Sequence, residues 1–435
     1  MSQPTVSLIP MHGAIPKGRS ITLDVLVKIQ PPEPGQTSDR PPLNLGFVID
    51  RSGSMQGSKI DYARQAVTFA VEQLLPSDRL SLTVFDTHVQ TPIPSTLATD
   101  KHHLLETIRH IRPGSSTALH AGWVNGGLQV SQYLNPEHLN RVILLSDGLA
   151  NVGETNPDRI ATDVHGLMQR GVTTTTLGVG ADYDETLLEG MARSGDGNFF
   201  HIDSPDHLPE IFQTELQGLV GTVGQSVTLA LTPLAETHIS DVLNDLEKTP
   251  EGRLKLPNLT IANPVYVVVR LQIPALTQGT AVLEVTLSWQ APSQTQVESL
   301  SQKLRLEVVT PEQMSDFPAH PEVQEQVALL MAARARQEAV GFADSGNYAQ
   351  AAAVLRESAA FLSQAPASPI ISSELTASQT LAGDFETGDK SLARKRAVHQ
   401  AYHMSRGRGS DYGKKKGDPS DKTPDAPKDQ PTDQR

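Results

Sequence analysis

The chain has 435 residues, 36 Lys and Arg against 49 Asp and Glu, 38% hydrophobic residues and no cysteine. That composition excludes disulfides, thiolate metal sites and cysteine nucleophiles, and no apolar run approaches the ~18 residues of a spanning helix. The net charge of −13 is uneven: Asp389–Arg435 carries 12 basic and 7 acidic residues, or +5, leaving −18 on the body, which disfavours nucleic acid and anionic membranes as its partners.

In chain order, the opening MSQPTVSLIPMHGAIP has neither the basic start nor the apolar stretch of a signal peptide, so a cytoplasmic protein is expected. ITLDVLVKI (Ile21–Ile29) alternates apolar and polar residues as a half-buried strand does. The proline-rich PPEPGQTSDRPP that follows reads as a linker. LNLGFVI (Leu43–Ile49) then opens a strand–helix alternation. Strands are predicted at Arg79–Phe85, Arg141–Leu145, Val172–Val179 and Asn198–Ile202. Helices are predicted at Lys59–Leu75, Asp100–His110, Ala118–Leu134, Pro157–Arg170, Asp184–Arg193 and Pro205–Gln217. Such alternation gives a doubly wound α/β domain of Rossmann-like type, which binds ligands beyond the carboxyl ends of its parallel strands.

From Gln225 to Val309 the period becomes two, and VTLALTPL, PVYVVVRLQI, AVLEVTLSW and LRLEVV read as an antiparallel β-sandwich. The strands before the linker share this character, so the α/β domain is expected to be inserted into the sandwich. Glu322–Leu362 is alanine-rich and helical, with GNYAQAA at a tetratricopeptide-like hairpin, and Lys390–Met404 forms a further short helix. Ser405–Arg435 lacks Val, Ile, Leu and Phe and reads as a disordered charged tail, where Arg406, Arg408 and Lys414–Lys416 are candidates for binding an anion. The expected parts are therefore residues 1–35 as N-terminal strands of the sandwich, 36–220 as the α/β domain, 221–312 as the sandwich, 318–404 as a helical C-terminal region and 405–435 as the tail.

The chemistry concentrates in three segments. FVIDRSGSM places Asp50 at the end of a buried strand with Ser52 and Ser54 at alternate positions after it. GSSTAL places Thr117 just before a helix, and VILLSDG places Asp147 at the tip of another strand. All three loops leave the same edge of a parallel sheet, so two carboxylates and three hydroxyls are offered to one hard cation. A cage with so few charges leaves a divalent ion under-neutralised and able to take a further anion.

The segment Asn44–Gly218 resembles a von Willebrand factor A domain with a complete metal-ion-dependent adhesion site, Asp-x-Ser-x-Ser followed by a loop Thr and a strand-end Asp. SDGLANVGET is most similar to bacterial members related to the inter-alpha-trypsin-inhibitor heavy chains. The resemblance implies Mg²⁺, or Mn²⁺, held by Asp50, Ser52, Ser54, Thr117 and Asp147, with a partner protein supplying a carboxylate to the ion. Arg51, His120, Asn151 and Glu154 lie close enough in sequence to be partner contacts, and Gln56 is placed similarly.

The expected function is a non-enzymatic, metal-dependent adaptor. A Mg²⁺-dependent hydrolase or phosphatase is an alternative, because aspartyl-phosphate enzymes also place a strand-end Asp beside a hard cation; Ser52 stands where such an enzyme has an acidic residue. A nucleic-acid adaptor working through the basic tail is another. His103, Glu106 and His110 on one helix read as a solvated face, and GVGAD (Gly178–Asp182) as a strand-end turn.

Overall fold

The computed structural model describes residues 3–32, 40–180, 182–202, 204–292 and 296–407. The centre of the proline-rich linker and residues 408–435 of the expected tail lie outside them.

The chain opens with β1 (Thr5–Pro10), β2 (Ala14–Pro16) and β3 (Ile21–Gln30). The α/β part follows as β4 (Leu43–Asp50), α1 (Ser58–Gln73), β5 (Arg79–Phe85), β6 (Val89–Leu97), α2 (Lys101–Arg109), α3 (Leu119–Ser131), β7 (Leu139–Ser146), α4 (Pro157–Met168), β8 (Thr173–Val179), α5 (Glu185–Ser194), β9 (Phe199–Ile202) and α6 (Leu208–Val220). Its sheet has the order β6-β5-β4-β7-β8-β9. Five strands are parallel, and β6 is an antiparallel edge the periodicity had not marked. Every residue of β4 and β7 is buried, because helices cover both faces of the sheet. Phe47, Ile143 and Leu145 face α1 and α6, while Val48, Val142 and Leu144 face α3, α4 and α5. Two-sided burial explains why these strands read as unbroken apolar runs.

The sandwich is completed by β10 (Thr222–Pro233), β11 (His238–Val242), β12 (Leu254–Lys255), β13 (Leu259–Thr260), β14 (Val265–Ile273), β15 (Thr280–Gln290) and β16 (Val297–Val309). One sheet runs β1-β3-β14-β11 and the other β12-β10-β15-β16-β2, with β13 on β10. The N-terminal β3 thus lies between β1 and β14, from Ile21 opposite Ile273 to Ile29 opposite Val265. The sandwich is not wholly antiparallel, since β2 runs parallel to β16. Val25, Val27 and Ile29 point into the core against Leu229, Leu283, Val285 and Leu287. On the opposite face, Leu26 and Val268 are covered by Val323, Val327 and Leu330 of a helix, so this face is buried too.

That helix is α7 (Pro321–Asp344), followed by α8 (Tyr348–Leu362), α9 (Pro369–Thr387) and α10 (Lys390–Ser405). The expected hairpin is therefore half of a four-helix assembly. Ala339, Ala343, Ala351, Ala352, Ala393 and Ala397 let the helices approach closely around Leu355, Leu381 and Phe385. The helix α9 lies in the stretch expected to be helical, but the sequence pattern did not mark it as a separate element.

The helix α10 turns back onto the α/β part. The Tyr402 hydroxyl donates to the Gly197 carbonyl at 2.9 Å, and His403 Nε2 meets the Phe199 carbonyl at 2.8 Å. The Lys395 ammonium donates to the Tyr183 carbonyl at 2.6 Å and, with Arg394, pairs with Glu185. Burial alone pushes the Glu185 carboxyl up, but these two cations hold it below its usual range.

The first residues of the expected tail are ordered, a correction to the boundary at residue 405. The Ser405 carbonyl accepts from the Asp245 amide at 3.1 Å, and the Gly407 carbonyl from the Tyr266 amide at 2.8 Å. Gly407 has φ +75°, and a Cβ there would lie 2.2 Å from the Tyr266 carbonyl oxygen, so the join requires glycine. Arg406 is buried, hydrogen-bonded to the Tyr402 hydroxyl at 2.6 Å, and is not the solvated anion-binding residue the composition suggested. Among the described residues, no helix is long and apolar enough to cross a membrane.

Candidate metal centre at the carboxyl edge of the parallel sheet

Strand β4 delivers Asp50, fully buried, to the carboxyl edge of the sheet. The chain then makes a short 3-10 turn, Gly53–Met55, anchored by the buried Met55. Asp50 Oδ1 accepts the Ser52 amide at 2.7 Å, and Oδ2 accepts the Ser146 hydroxyl at 2.6 Å. The Ser52 and Ser54 hydroxyls lie 3.1 Å apart, and Ser54 donates to Asp147 Oδ1 at 2.7 Å. The first loop is tied to the second by backbone bonds, Gly53 N–H to Ser115 O at 2.8 Å and Gly114 N–H to Arg51 O at 2.5 Å.

Thr117 enters from that second loop. Its amide donates to the Asn151 side chain at 2.9 Å, and its carbonyl accepts from the Asn151 and Val152 amides. A methyl group added to Gly148 would lie 3.5 Å from Thr117 Oγ1, 3.6 Å from Ser54 Oγ and 4.0 Å from Asp50 Oδ2. Three side-chain oxygens from two segments therefore face one point beside the third segment's Gly148, and Asp147 and Ser52 adjoin it through Ser54. This is a hard-oxygen donor set, which fits Mg²⁺ or Mn²⁺ better than a soft metal. It has two carboxylates and no histidine, and among the described residues no group of three or more His, Asp or Glu is arranged to hold a metal ion.

Burial dominates the electrostatics. It pushes the Asp50 carboxyl up to about 6, against the opposing hydrogen bonds from Ser146 and Ser52, and the nearby Asp147 adds to the rise. A buried carboxylate held mainly by hydroxyls and one amide is under-compensated, and a divalent cation supplies the missing charge.

The four residues expected as partner contacts each have an intramolecular task. Arg51 pairs with Asp86 at 2.9 Å. His120 Nε2 lies 2.9 Å from Asp163 and stacks on Trp123. Asn151 holds the Thr117 loop. Glu154 accepts the Thr155 and Asn156 amides and pairs with Arg159; the Asn156 bond, then Arg159, lowers its carboxyl below the usual range.

Three contributors were missed in the sequence. Ser146, beside Asp147, binds Asp50. Lys59 donates to Asp147 Oδ2 at 2.5 Å. Asp86, just beyond β5, holds Arg51 and accepts the His88 amide at 2.7 Å, and it fits only because Gly114 has no Cβ, which would lie 2.0 Å from Asp86 Oδ2. The signal for Asp86 was its place at another strand's carboxyl end. The His103, Glu106 and His110 face is an exposed local network, with Glu106 bound to Arg109 and His110 to the Glu106 carbonyl.

Residues 44–214 match the family described as von Willebrand factor type A domain. This segment is a type A domain. Such domains commonly mediate metal-dependent protein interactions. The chain is 25% identical over 315 residues to the uncharacterized protein sll0103 of Synechocystis, covering 68% of this chain and 73% of that one. It is 30% identical over 164 residues to inter-alpha-trypsin inhibitor heavy chain H3 of Rattus norvegicus, covering 36% of this chain but only 18% of the heavy chain. A solved structure, von Willebrand factor type A from Catenulispora acidiphila, superposes with a TM-score of 0.68 at 16% identity, over 93% of this chain and 96% of that one. The shared fold thus extends beyond the type A domain to the sandwich and helices.

Proposed function

We propose that this chain is a non-catalytic, metal-dependent protein-binding module, which grips an acidic side chain of a partner through Mg²⁺ or Mn²⁺ at the carboxyl edge of the type A domain. The observation that carries this reading is the convergence of Thr117, Ser54 and Asp50 oxygens beside Gly148. When bound, the ion supplies a Lewis-acidic position open to an outside carboxylate. The chain's own residues hold the donors in place: Ser146 orients Asp50, Asn151 fixes Thr117, and Arg51 with Asp86 braces the loops from behind. The basic groups at this edge, Lys59 and Arg51, are both ion-paired, which supports gripping over proton transfer.

The test is titration calorimetry of Mg²⁺ and Mn²⁺ into the full chain and into Asp50→Ala. Saturable binding to the wild type, lost in the variant, is expected. Capture of an acidic peptide that disappears with a chelator completes the case. Equal binding by wild type and variant would place the ion elsewhere and sink the reading.

A further inference from the structure

Lys59 sits in the first turn of α1, where the helix dipole disfavours a cation. Its side chain nevertheless reaches the buried Asp147, passing so close to Gly180 that a Cβ there would lie 3.8 Å from the ammonium. Asp147 is thereby shared, with Ser54 on one oxygen and Lys59 on the other. Among the described residues, no other cation pairs with either of the two carboxylates.

The charge count changes what a bound ion does. Two carboxylates and one ammonium leave the centre at −1, and a divalent ion takes it to +1. Without the ammonium the same step runs from −2 to zero. Lys59 therefore opposes the metal and leaves the loaded centre with a surplus positive charge.

We propose that Lys59 is a tethered cation that weakens the centre's hold on its metal and strengthens the loaded centre's hold on an acidic partner. This rests on the metal-dependent reading above and names the residue that sets its selectivity. An unloaded centre, at −1, repels acidic ligands, while the loaded centre attracts them, so acid binding becomes conditional on the metal.

The experiment uses the full chain as wild type, Lys59→Met and Lys59→Arg. Mn²⁺ is titrated first by calorimetry. A blocked glutamate-containing pentapeptide, with its glutamine counterpart as control, is then titrated into the Mn²⁺-saturated proteins. Lys59→Met is expected to bind Mn²⁺ about tenfold more tightly and the glutamate peptide about tenfold more weakly, the scale of one unit charge a few ångströms away at intermediate dielectric. Lys59→Arg keeps the charge and is expected to stay near the wild type in both. If the wild type binds Mn²⁺ and Lys59→Met binds it no more tightly, this inference falls while the metal reading stands. If Lys59→Met binds the glutamate peptide as well as or better than the wild type does, the inference also falls. A wild type that binds no Mn²⁺ removes both.

Discussion

The parallel sheet buries acidic groups at both its ends, and the two ends treat them differently. At the amino end, Glu215 of α6 meets Arg141 of β7 at 2.6 Å, accepts the Thr175 hydroxyl at 2.6 Å and takes the Asn198 amide at 2.6 Å. Burial pushes that carboxyl up, yet Arg141 and these hydrogen bonds hold it below its usual range. At the carboxyl end, about 17 Å away along the strands, Asp50 has hydroxyls and an amide but no cation of its own, and it stands raised to about 6. The first group is a finished structural joint and the second is left short of positive charge. The difference shows that burial alone does not fix a buried acid's state: the charge of its partners decides it.

The largest expected effect comes from breaking the finished joint. Arg141→Ala leaves Glu215 buried and uncompensated, and should cost about 3–5 kcal/mol in denaturant unfolding, by the same amount with or without Mg²⁺. A loss that Mg²⁺ reverses would show that the two ends are not independent. Next in size, Asp50→Asn should make the metal-free chain more stable by about 1–3 kcal/mol at neutral pH, because it removes a charge the fold disfavours. It should also abolish the rise in melting temperature that Mg²⁺ gives the wild type. Destabilisation of the metal-free chain by Asp50→Asn would mean that Asp50 is as well compensated as Glu215.

The smallest effect is in pH dependence, where the two ends have opposite signs. Asp50 is raised above its unfolded value of 3.8, so its favourable contribution is present at low pH and is lost as pH rises through about 6. Glu215 is lowered below 4.5, so its contribution is present at neutral pH and is lost as pH falls through its depressed value. The metal-free wild type should therefore gain stability between pH 7 and about 5, then lose it in stronger acid. Melting curves of Asp50→Asn should keep only the acid loss; a persisting gain near pH 6 would assign it to another group.

Much of this was legible in the sequence where one physical pattern dominated. Leu43–Ile49 and Arg141–Leu145 read as buried strands because both faces are covered, and Asp50 and Asp147 stand out because each ends such a run. Edge elements were harder. The strand β6, VQTPIPSTL, carries Pro92 and Pro94 and buries little, which an edge strand tolerates and a periodicity search does not reward. The helix α9 is rich in Ser and Thr, weak helix formers, although its start was marked by Ser368, whose hydroxyl accepts the Ile371 amide, and by Pro369. Arg406 looked like part of a solvated tail because its partners, Tyr402 and Asp196, lie on an adjacent helix and on another domain. Ser146 and Lys59 were hidden for a related reason. Hydroxyls and lysines are common, and only the folded loops bring these two to the acids.

The pairing of β3 with β14 bears on the order in which this molecule is made. Ile29 lies opposite Val265 and Ile21 opposite Ile273, so the first strands leave the ribosome roughly 240 positions before their partners. Every strand of the type A sheet, by contrast, lies between Leu43 and Ile202 and pairs only with strands from that same stretch. The acid-lined edge can therefore form while β1 and β3 are still unpaired. The sandwich closes only once β16 has emerged, and residues 405–407, which join helix, sandwich and type A domain, are added after every strand is already in place. Synthesis thus delivers every strand of the parallel sheet early and the residues that join it to the sandwich late.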